Sequence, residues 1–381
     1  MSHADFEIEV FVGQSGIDRL RDEWLSLTEV ADIRSFYCHP AWFEAFIKEV
    51  EKTQDRIHFF AVFQSAKLVA VFPIEFEKKG SLITWTQASI PSREQLYMPD
   101  FLINKEADKA AVFLFFIREL KRYRNTKWDV FLAKEVLDSS VLIEMFSNSG
   151  EPIVFKRSRD SCNFIDLDAY ETLSGNFTRK HRQNITRRIK QANALGIVEY
   201  CRLVEIGHVL DGFANFLELE ERGWKGGHGK GRGKHKKPLA ISLSPRKKQF
   251  YQRVISKLAE SGNVELFALY IDQKLIGMQV CLIFGQFCVG LKTAYDQEFS
   301  KCSPGLLVKR FLLEHFADHS DVKVISLISD SPAHRVWNPR VQRYVSLRTP
   351  GNTVKGLILF WIFKFKTLLE SRKSTGNDQR I

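Results

Sequence analysis

Between residues 291 and 306 the chain reads LKTAYDQEFSKCSPGL, and its polar side chains are of types that can move a proton or hold an anion. The apolar run before it ends at Ala294, so Tyr295 and Asp296 stand where a strand gives way to a turn. A carboxylate at that point can take a proton from an attacking amine, directly or through water. Asp also bonds its own backbone in turns, and that use of Asp296 competes with catalysis. Tyr295 can return a proton to a departing thiolate, or pack half-buried at the strand end. Lys301 and Ser303 follow in the turn as candidate anion contacts. Pro304 and Gly305 then open a helix, where the missing N–H of proline costs nothing. The N–H groups of residues 305–308 are expected to point outward at the positive end of the helix dipole, so Gly305 and Leu306 offer backbone donors to an anion. Strand, turn and helix start together suit a diphosphate. Cys302 reads as a small buried side chain.

A second set of candidates lies outside this stretch. Trp224 and Lys225 fall where a helix gives way to a loop; a Trp beside a Lys can stack on a sugar or adenine ring and hold an anion, or simply anchor the loop. Asp330, His334 and Trp337 occupy the corresponding place after a later β-segment and are candidates to meet an acceptor, with surface hydrogen bonding the alternative for His334. Residues 226–237 carry Lys230, Arg232, Lys234, Lys236 and Lys237 among glycines. They follow a helix and lack the spaced Gly-Lys-Ser/Thr of a phosphate-binding loop, so they read as a solvated loop or as one that closes over phosphates. The basic helix at 179–190, with Arg182, Arg187 and Arg188, lacks the interleaved aromatics of a nucleic-acid surface and reads as a charged face beside phosphates. No nucleic-acid partner is expected.

The elements that must position these groups follow from periodicity. Alternation predicts strands at 6–12, 58–63, 67–76, 82–86, 128–132 and 152–156, with helices at 17–30, 41–50, 110–123 and 139–146 between them. The second half repeats the rhythm: a basic helix at 170–195 closed by Gly196, a strand at 198–204, and helices at 209–222 and 245–261. A meander at 264–270, 275–284 and 287–294 leads into the helix at 304, a strand at 322–328 and a last strand within 334–348. Residues 354–369, VKGLILFWIFKFKTLL, are too short an apolar run to span a bilayer. They form either a closing helix packed on the second domain or an interfacial helix whose lysines snorkel to headgroups.

Composition bounds the partners. The chain of 381 residues suits two domains, and a formal charge of +11 favours phosphate-bearing ligands or an anionic surface. Six cysteines without a C-x-x-C pair support neither a zinc site nor a disulfide framework, and no metal is expected. The acidic N-terminus MSHADFEIEVF is not a secretory signal, so a cytoplasmic protein, with or without peripheral membrane contact, is the expectation.

The meander, turn and helix share the order found in acyl-CoA-dependent transferases of the GNAT type. The chain also resembles a particular family. The pieces SFYCHPAWFEAF (35–46), NFIDLDAYETL (163–173), RKHRQNITRRIKQANALG (179–196), ERGWKG (221–226), AYDQEFSKCSPGLL (294–307) and HRVWNPR (334–340) occur in the order of the CelD/BcsL-type GNAT acetyltransferases. That family is linked to polysaccharide or envelope biosynthesis and is similar to the FemAB-like transferases. The resemblance implies an α/β fold of two tandem GNAT-like domains, each a mostly antiparallel mixed sheet flanked by helices. The order of elements along the chain puts the domains at 1–160 and 161–350, followed by an apolar, basic helix and disordered tail at 351–381. The resemblance makes the second domain the one that binds acyl-CoA and favours Lys301 and Ser303 as its phosphate contacts. It implies acetyl-CoA or another acyl-CoA as donor and an amine on a small molecule, an amino sugar or nucleotide-sugar, as acceptor. Two departures touch the acceptor. GHGKGRGKHKKPLAIS replaces a short Gly-Thr-Ala-Ile-like segment after Gly-Trp-Lys-Gly, and Ala333-His334-Arg335 stand where a Tyr-Lys commonly precedes the Trp. The rivals are a FemAB-like transferase using charged tRNA and a catalytically inert scaffold.

Overall fold

The computed structural model describes residues 6–31, 36–50, 54–81, 83–92, 98–169, 177–227 and 239–377; for Gln54, Arg159, Ala169, Trp224 and 371–377 it describes the backbone alone. Chain contacts divide it into two compact units, one of residues 1–47, 51–161 and 342–381, the other of 48–50 and 162–341.

In the first unit the alternating Phe6, Ile8 and Val10 give β1 (Phe6–Val12), followed by α1 (Gly13–Val30) and α2 (Pro40–Glu49). Next come β2 (Ile57–Gln64), β3 (Lys67–Lys79), β4 (Trp85–Ser89) and the short β5 (Leu102–Ile103). Then follow α3 (Lys109–Arg122), β6 (Val130–Leu137) and α4 (Val141–Asn148). The first four strands pair in antiparallel order, β4 runs parallel to β6, and β5 pairs with β3. Aromatic rings fill the interior: Trp24, Phe43, Phe59, Phe72, Phe113 and Phe116 are all buried, and Phe72 stacks on Phe116 with centroids 4.0 Å apart.

β7 (Val154–Asp166) carries the chain into the second unit. There the chain forms α5 (Arg179–Asn193), β8 (Val198–Leu203), α6 (Ile206–Arg222) and α7 (Pro245–Glu260). The meander is β9 (Val264–Ile271), β10 (Lys274–Phe284) and β11 (Phe287–Tyr295), followed by α8 (Pro304–His319) and β12 (Val324–Ser326). β8 to β11 are antiparallel neighbours and β11 runs parallel to β12. Strand, two helices, three antiparallel strands, helix and parallel strand thus occur in both units, as the two similar rhythms in the sequence led us to expect. Each unit is a mixed, mostly antiparallel sheet flanked by helices.

The closing strands come from elsewhere in the chain. In the second unit β12 takes residues 164–166 of β7 as its antiparallel neighbour. In the first, β13 (Arg340–Pro350) lies antiparallel to β6 through residues 344–350. After it, α9 (Val354–Asn377) continues past Glu370, where a disordered tail was expected. The basic helix ends at Asn193 with Ala194 as its cap, two residues short of the expected Gly196. Residues 170–176 of its expected first turns lie outside the described residues, as does residue 82 of an expected strand.

Candidate active site

The site is built where β11 leaves its parallel partner. β11 pairs with β12 only at residues 287–289. Immediately afterwards Leu327 N–H bonds to Asn163 O at 2.8 Å, so the chain after β12 follows β7. Residues 290–295 of β11 consequently have no strand beside them on that side among the described residues, although β10 holds their other edge. The register against β10 shifts between Val280 and Cys281, leaving Leu291 as the extra residue of a bulge. A bulge strands backbone groups. The fully buried Gln279 meets that need: its amide donates to Lys292 O at 3.0 Å, and its carbonyl oxygen accepts from the Thr293 hydroxyl.

Helix α8 begins beside the end of this strand. A Cβ built on Gly305 would stand 3.6 Å from the Tyr295 ring and 3.7 Å from the Thr293 methyl. Ser303 adopts a left-handed conformation, φ 54°, as the residue before the helix and makes no side-chain cap. Its carbonyl accepts from both Leu306 N–H (3.0 Å) and Leu307 N–H (3.3 Å). The free donors expected at 305–308 thus reduce to one exposed at the helix start. Pro304 has no N–H, and Gly305 N–H has no acceptor among the described residues. Ser303 and Gly305 are half-buried and Lys301 is exposed. Arg188, from α5, donates to Lys301 O and brings a guanidinium to the turn. One N–H, a helix dipole and a cation at the end of this strand edge fit an extended ligand that ends in a diphosphate.

Asp296 takes the competing role named for it. Its Oδ1 accepts from Glu298 N–H at 2.9 Å, capping the 3-10 turn Gln297–Cys302, and its Oδ2 lies 3.1 Å from Lys274 Nζ. Tyr295 is half-buried at the strand end. Lys225 is not at an open loop: its Nζ donates to Glu220 Oε1 (2.8 Å) and Thr293 O (2.9 Å). Burial lowers its pKa, and the Glu220 carboxylate opposes that shift. The Trp224 side chain and residues 228–238 of the Gly/Lys loop lie outside the described residues; the chain re-enters with Leu239 and Ala240 N–H both on Lys225 O. Trp337 turns inward. It is 2% exposed and packs edge-on against Phe177 and His181, because the 3-10 turn Pro332–Trp337 folds its last side chain inward.

Asp330 and His334 stay at the surface end of the site. Asp330 accepts from Asn163 Nδ2 at 3.3 Å. His334 Nδ1 lies 3.0 Å from Ser329 O, which makes Nδ1 the protonated nitrogen and leaves Nε2 with a lone pair. Burial, and after it the cation of Lys309, lower the pKa of His334. Lys309 itself escaped the sequence reading. It sits in α8 at 8% exposure, and its Nζ lies 3.9 Å from where a Cβ on Gly290 would stand, at the point where β11 and β12 part. Burial lowers its pKa, partly offset by the Cys281 and Cys288 thiols. The available signal was its spacing: Lys309 shares a helical face with Val308, Leu312 and Phe316, all buried. Among the described residues no three His, Cys, Asp or Glu gather as a metal site.

Comparison with known proteins bears on the domain and the fold. Residues 179–332 match the family model of the acetyltransferase (GNAT) domain. The chain therefore carries a GNAT-type acyltransferase domain, which implies an acyl-CoA donor and a small-molecule acceptor. No curated protein matches the chain by sequence. Among solved structures it is similar to FemX at 11% identity and a TM-score of 0.59, covering 94% of this chain and 100% of that one. It is also similar to the C-terminal domain of a putative lysylphosphatidylglycerol synthetase from Agrobacterium fabrum, at 12% identity and a TM-score of 0.52, covering 90% and 95%. At those identities the likeness is one of fold.

Proposed function

We propose that the second unit transfers an acyl group from coenzyme A to an amine of a sugar or related envelope metabolite, as the resemblance to CelD/BcsL-type proteins implies. One observation carries the reading: the edge of β11 at 290–295 that no strand covers among the described residues, with Lys225 Nζ on its Thr293 O, ends beside the uncapped start of α8. In this reading the pantetheine arm adds to β11 as a strand would, and the diphosphate meets Gly305 N–H with Lys301, Ser303 and Arg188 around it. Backbone N–H groups of β11 polarise the thioester carbonyl, where negative charge grows as the amine attacks. The amine forms the new C–N bond, the C–S bond breaks, and one proton passes from nitrogen to the departing sulfur. His334 Nε2 is the base that fits this transfer: its tautomer is fixed by Ser329 and its imidazole is kept neutral beside Lys309. Tyr295 is the proton donor to the thiolate, and Asp330 orients the acceptor. Asp296 fixes the turn that holds the phosphate residues.

Calorimetry with acetyl-CoA on the full chain tests the donor. A Cβ at Gly305 makes only ordinary contacts, and the Gly305→Asp variant sets a carboxylate against the phosphates. Saturable micromolar binding that falls about thirtyfold in this variant is expected, roughly 2 kcal/mol. Absence of saturable binding by the wild-type chain sinks the reading, and acyl transfer from charged tRNA in the same extract would favour the FemAB-like donor instead.

A second reading concerns α9. Val354, Leu357, Ile358, Trp361, Ile362 and Phe365 are all exposed along one side, while Gly356 and Phe360 are buried in the first unit. No helix among the described residues is long and apolar enough to cross a membrane. With Lys355, Lys364 and Lys366 beside the apolar stripe, this helix suits the surface of an anionic bilayer.

A further inference from the structure

A cavity of about 790 Å³ lies in the second unit, between the first turns of α5 and the 3-10 turn that ends at Trp337. Lys180, His181, Asn184, Arg187 and Arg335 line it, and no carboxylate does among the described residues. Asp330, which does not line it, has its Oδ1 4.0 Å from Arg335 Nε. Arg187 Nη2 is held by Asn184 Oδ1 at 2.9 Å, so the guanidinium is fixed in place. The decisive group is His181. It is 5% exposed, its ring is clamped edge-on by Trp337 at 4.8 Å and Phe177 at 5.1 Å, and its Nε2 has no hydrogen-bond partner among the described residues. A buried polar atom left unpaired is costly, and because Nε2 is closed to solvent the ring must turn before a ligand oxygen in the cavity relieves it.

We infer that this cavity binds a phosphoryl group of the acceptor, so that the amine is carried on a sugar phosphate or a nucleotide-sugar. The inference rests on the acyltransferase reading above and narrows its acceptor. A volume of this size exceeds a lone phosphate and lies in the range of small-molecule sites. Arg187 and Arg335 contribute charge and paired donors to the phosphoryl oxygens, with Lys180 as a third cation, and His181 adds a hydrogen bond once its ring turns. The cavity is separate from the donor turn but joined to it through α5: Arg187 faces the cavity, while the next residue, Arg188, bonds Lys301 O.

The test is calorimetric titration of the full chain with inorganic pyrophosphate, with and without saturating coenzyme A. The comparison variant is Arg187→Ala with Arg335→Ala, both exposed positions. Expected is saturable binding in the presence of coenzyme A, weakened about tenfold in the double variant while coenzyme A affinity stays unchanged. The imidazole nitrogen resonances of His181 are expected to shift on titration, and glucosamine 6-phosphate to bind about tenfold more tightly than glucosamine. The inference is overturned if coenzyme A abolishes pyrophosphate binding, which would assign the cavity to the donor, or if the double variant binds as the wild type does. Should coenzyme A itself fail to bind, the donor reading falls, and the double variant titrated without it still decides the cavity.

Discussion

Gly277 on β10 lies directly beneath Pro304: a Cβ built on it would stand 3.1 Å from the Pro304 Cβ and 3.2 Å from Val308 Cγ2. The start of α8 is thus set against the sheet by a residue with no side chain, and any side chain there must push the helix outward. Gly277→Val is expected to cost about 1–3 kcal/mol of stability by overpacking. It is also expected to weaken acetyl-CoA binding about tenfold, because the Gly305 N–H moves with the helix. Thermal unfolding and calorimetry check the two effects, with Gly207→Ala, at a position with nothing within 4 Å, as the control. A folded Gly277→Val chain that binds acetyl-CoA normally would show that the position of α8 does not matter.

The strand–turn–helix at 287–305 was legible because every cue in it is local: alternation in β11, a proline and glycine at the helix start, an Asp at the turn. The partner of β13 was not. Tyr344 pairs with Leu137, and nothing in either segment records a register across such a separation. Trp337 misled for a related reason. HRVWNPR is charged on both sides of the tryptophan, so it reads as surface, while the 3-10 turn buries that one side chain. Lys225 looked free because its partner Glu220 becomes its neighbour only when α6 ends and the chain turns back. Lys309 was readable in principle, since a lysine within a buried helical stripe breaks the expected pattern.

The two roles of Asp296 separate by substitution. As a cap it needs only an oxygen acceptor, which Asn supplies; as a base it needs the carboxylate. Because Oδ1 already holds Glu298 N–H and Oδ2 lies against Lys274, Asp296→Asn is expected to keep kcat within about threefold of wild type. Asp296→Ala is expected to lose about 1 kcal/mol of stability with the cap. Steady-state kinetics and thermal unfolding of the pair decide between the roles. A hundredfold fall in kcat for the Asn variant, roughly 3 kcal/mol, would restore Asp296 as the base.

His334 and Lys309 together predict a pH dependence. Reaction through His334 Nε2 requires the neutral imidazole, whose pKa burial and the Lys309 cation hold below the ordinary 6.5, with Ser329 O and Asp330 opposing. Activity should therefore be full at neutral pH and fall only on an acid limb below 6.5. Lys309→Met removes the positive charge, so protonated His334 becomes less unfavourable and the limb moves to higher pH. His334→Ala is expected to cost about a hundredfold or more in kcat at neutral pH. Profiles of kcat/KM against pH for the three proteins are the measurement; near-wild-type kcat in a folded His334→Ala chain excludes His334 as the base, and an acid limb that stays put in Lys309→Met removes Lys309 as a cause of its position.

On α9, Trp361 and Phe365 are 61% and 65% exposed on the uncovered side, so charged substitutions there leave Phe360 buried at 5% and remove only its edge contact with the Trp361 ring, 5.9 Å between centroids. The helix is held to the first unit by other groups: Lys355 Nζ donates to Thr84 O at 2.9 Å, and Glu370 pairs with Lys156 at 2.7 Å. If the stripe meets a bilayer, the full chain should sediment with vesicles containing phosphatidylglycerol and not with pure phosphatidylcholine. Each lysine near an anionic surface contributes about 1 kcal/mol, a term that salt screens. Trp361→Glu with Phe365→Glu is expected to abolish vesicle binding while thermal stability stays within about 0.5 kcal/mol, as for surface substitutions. Undiminished vesicle binding by that variant removes the membrane from the picture. A wild-type dimer that the same variant converts to monomer would instead assign the stripe to a second copy of the chain.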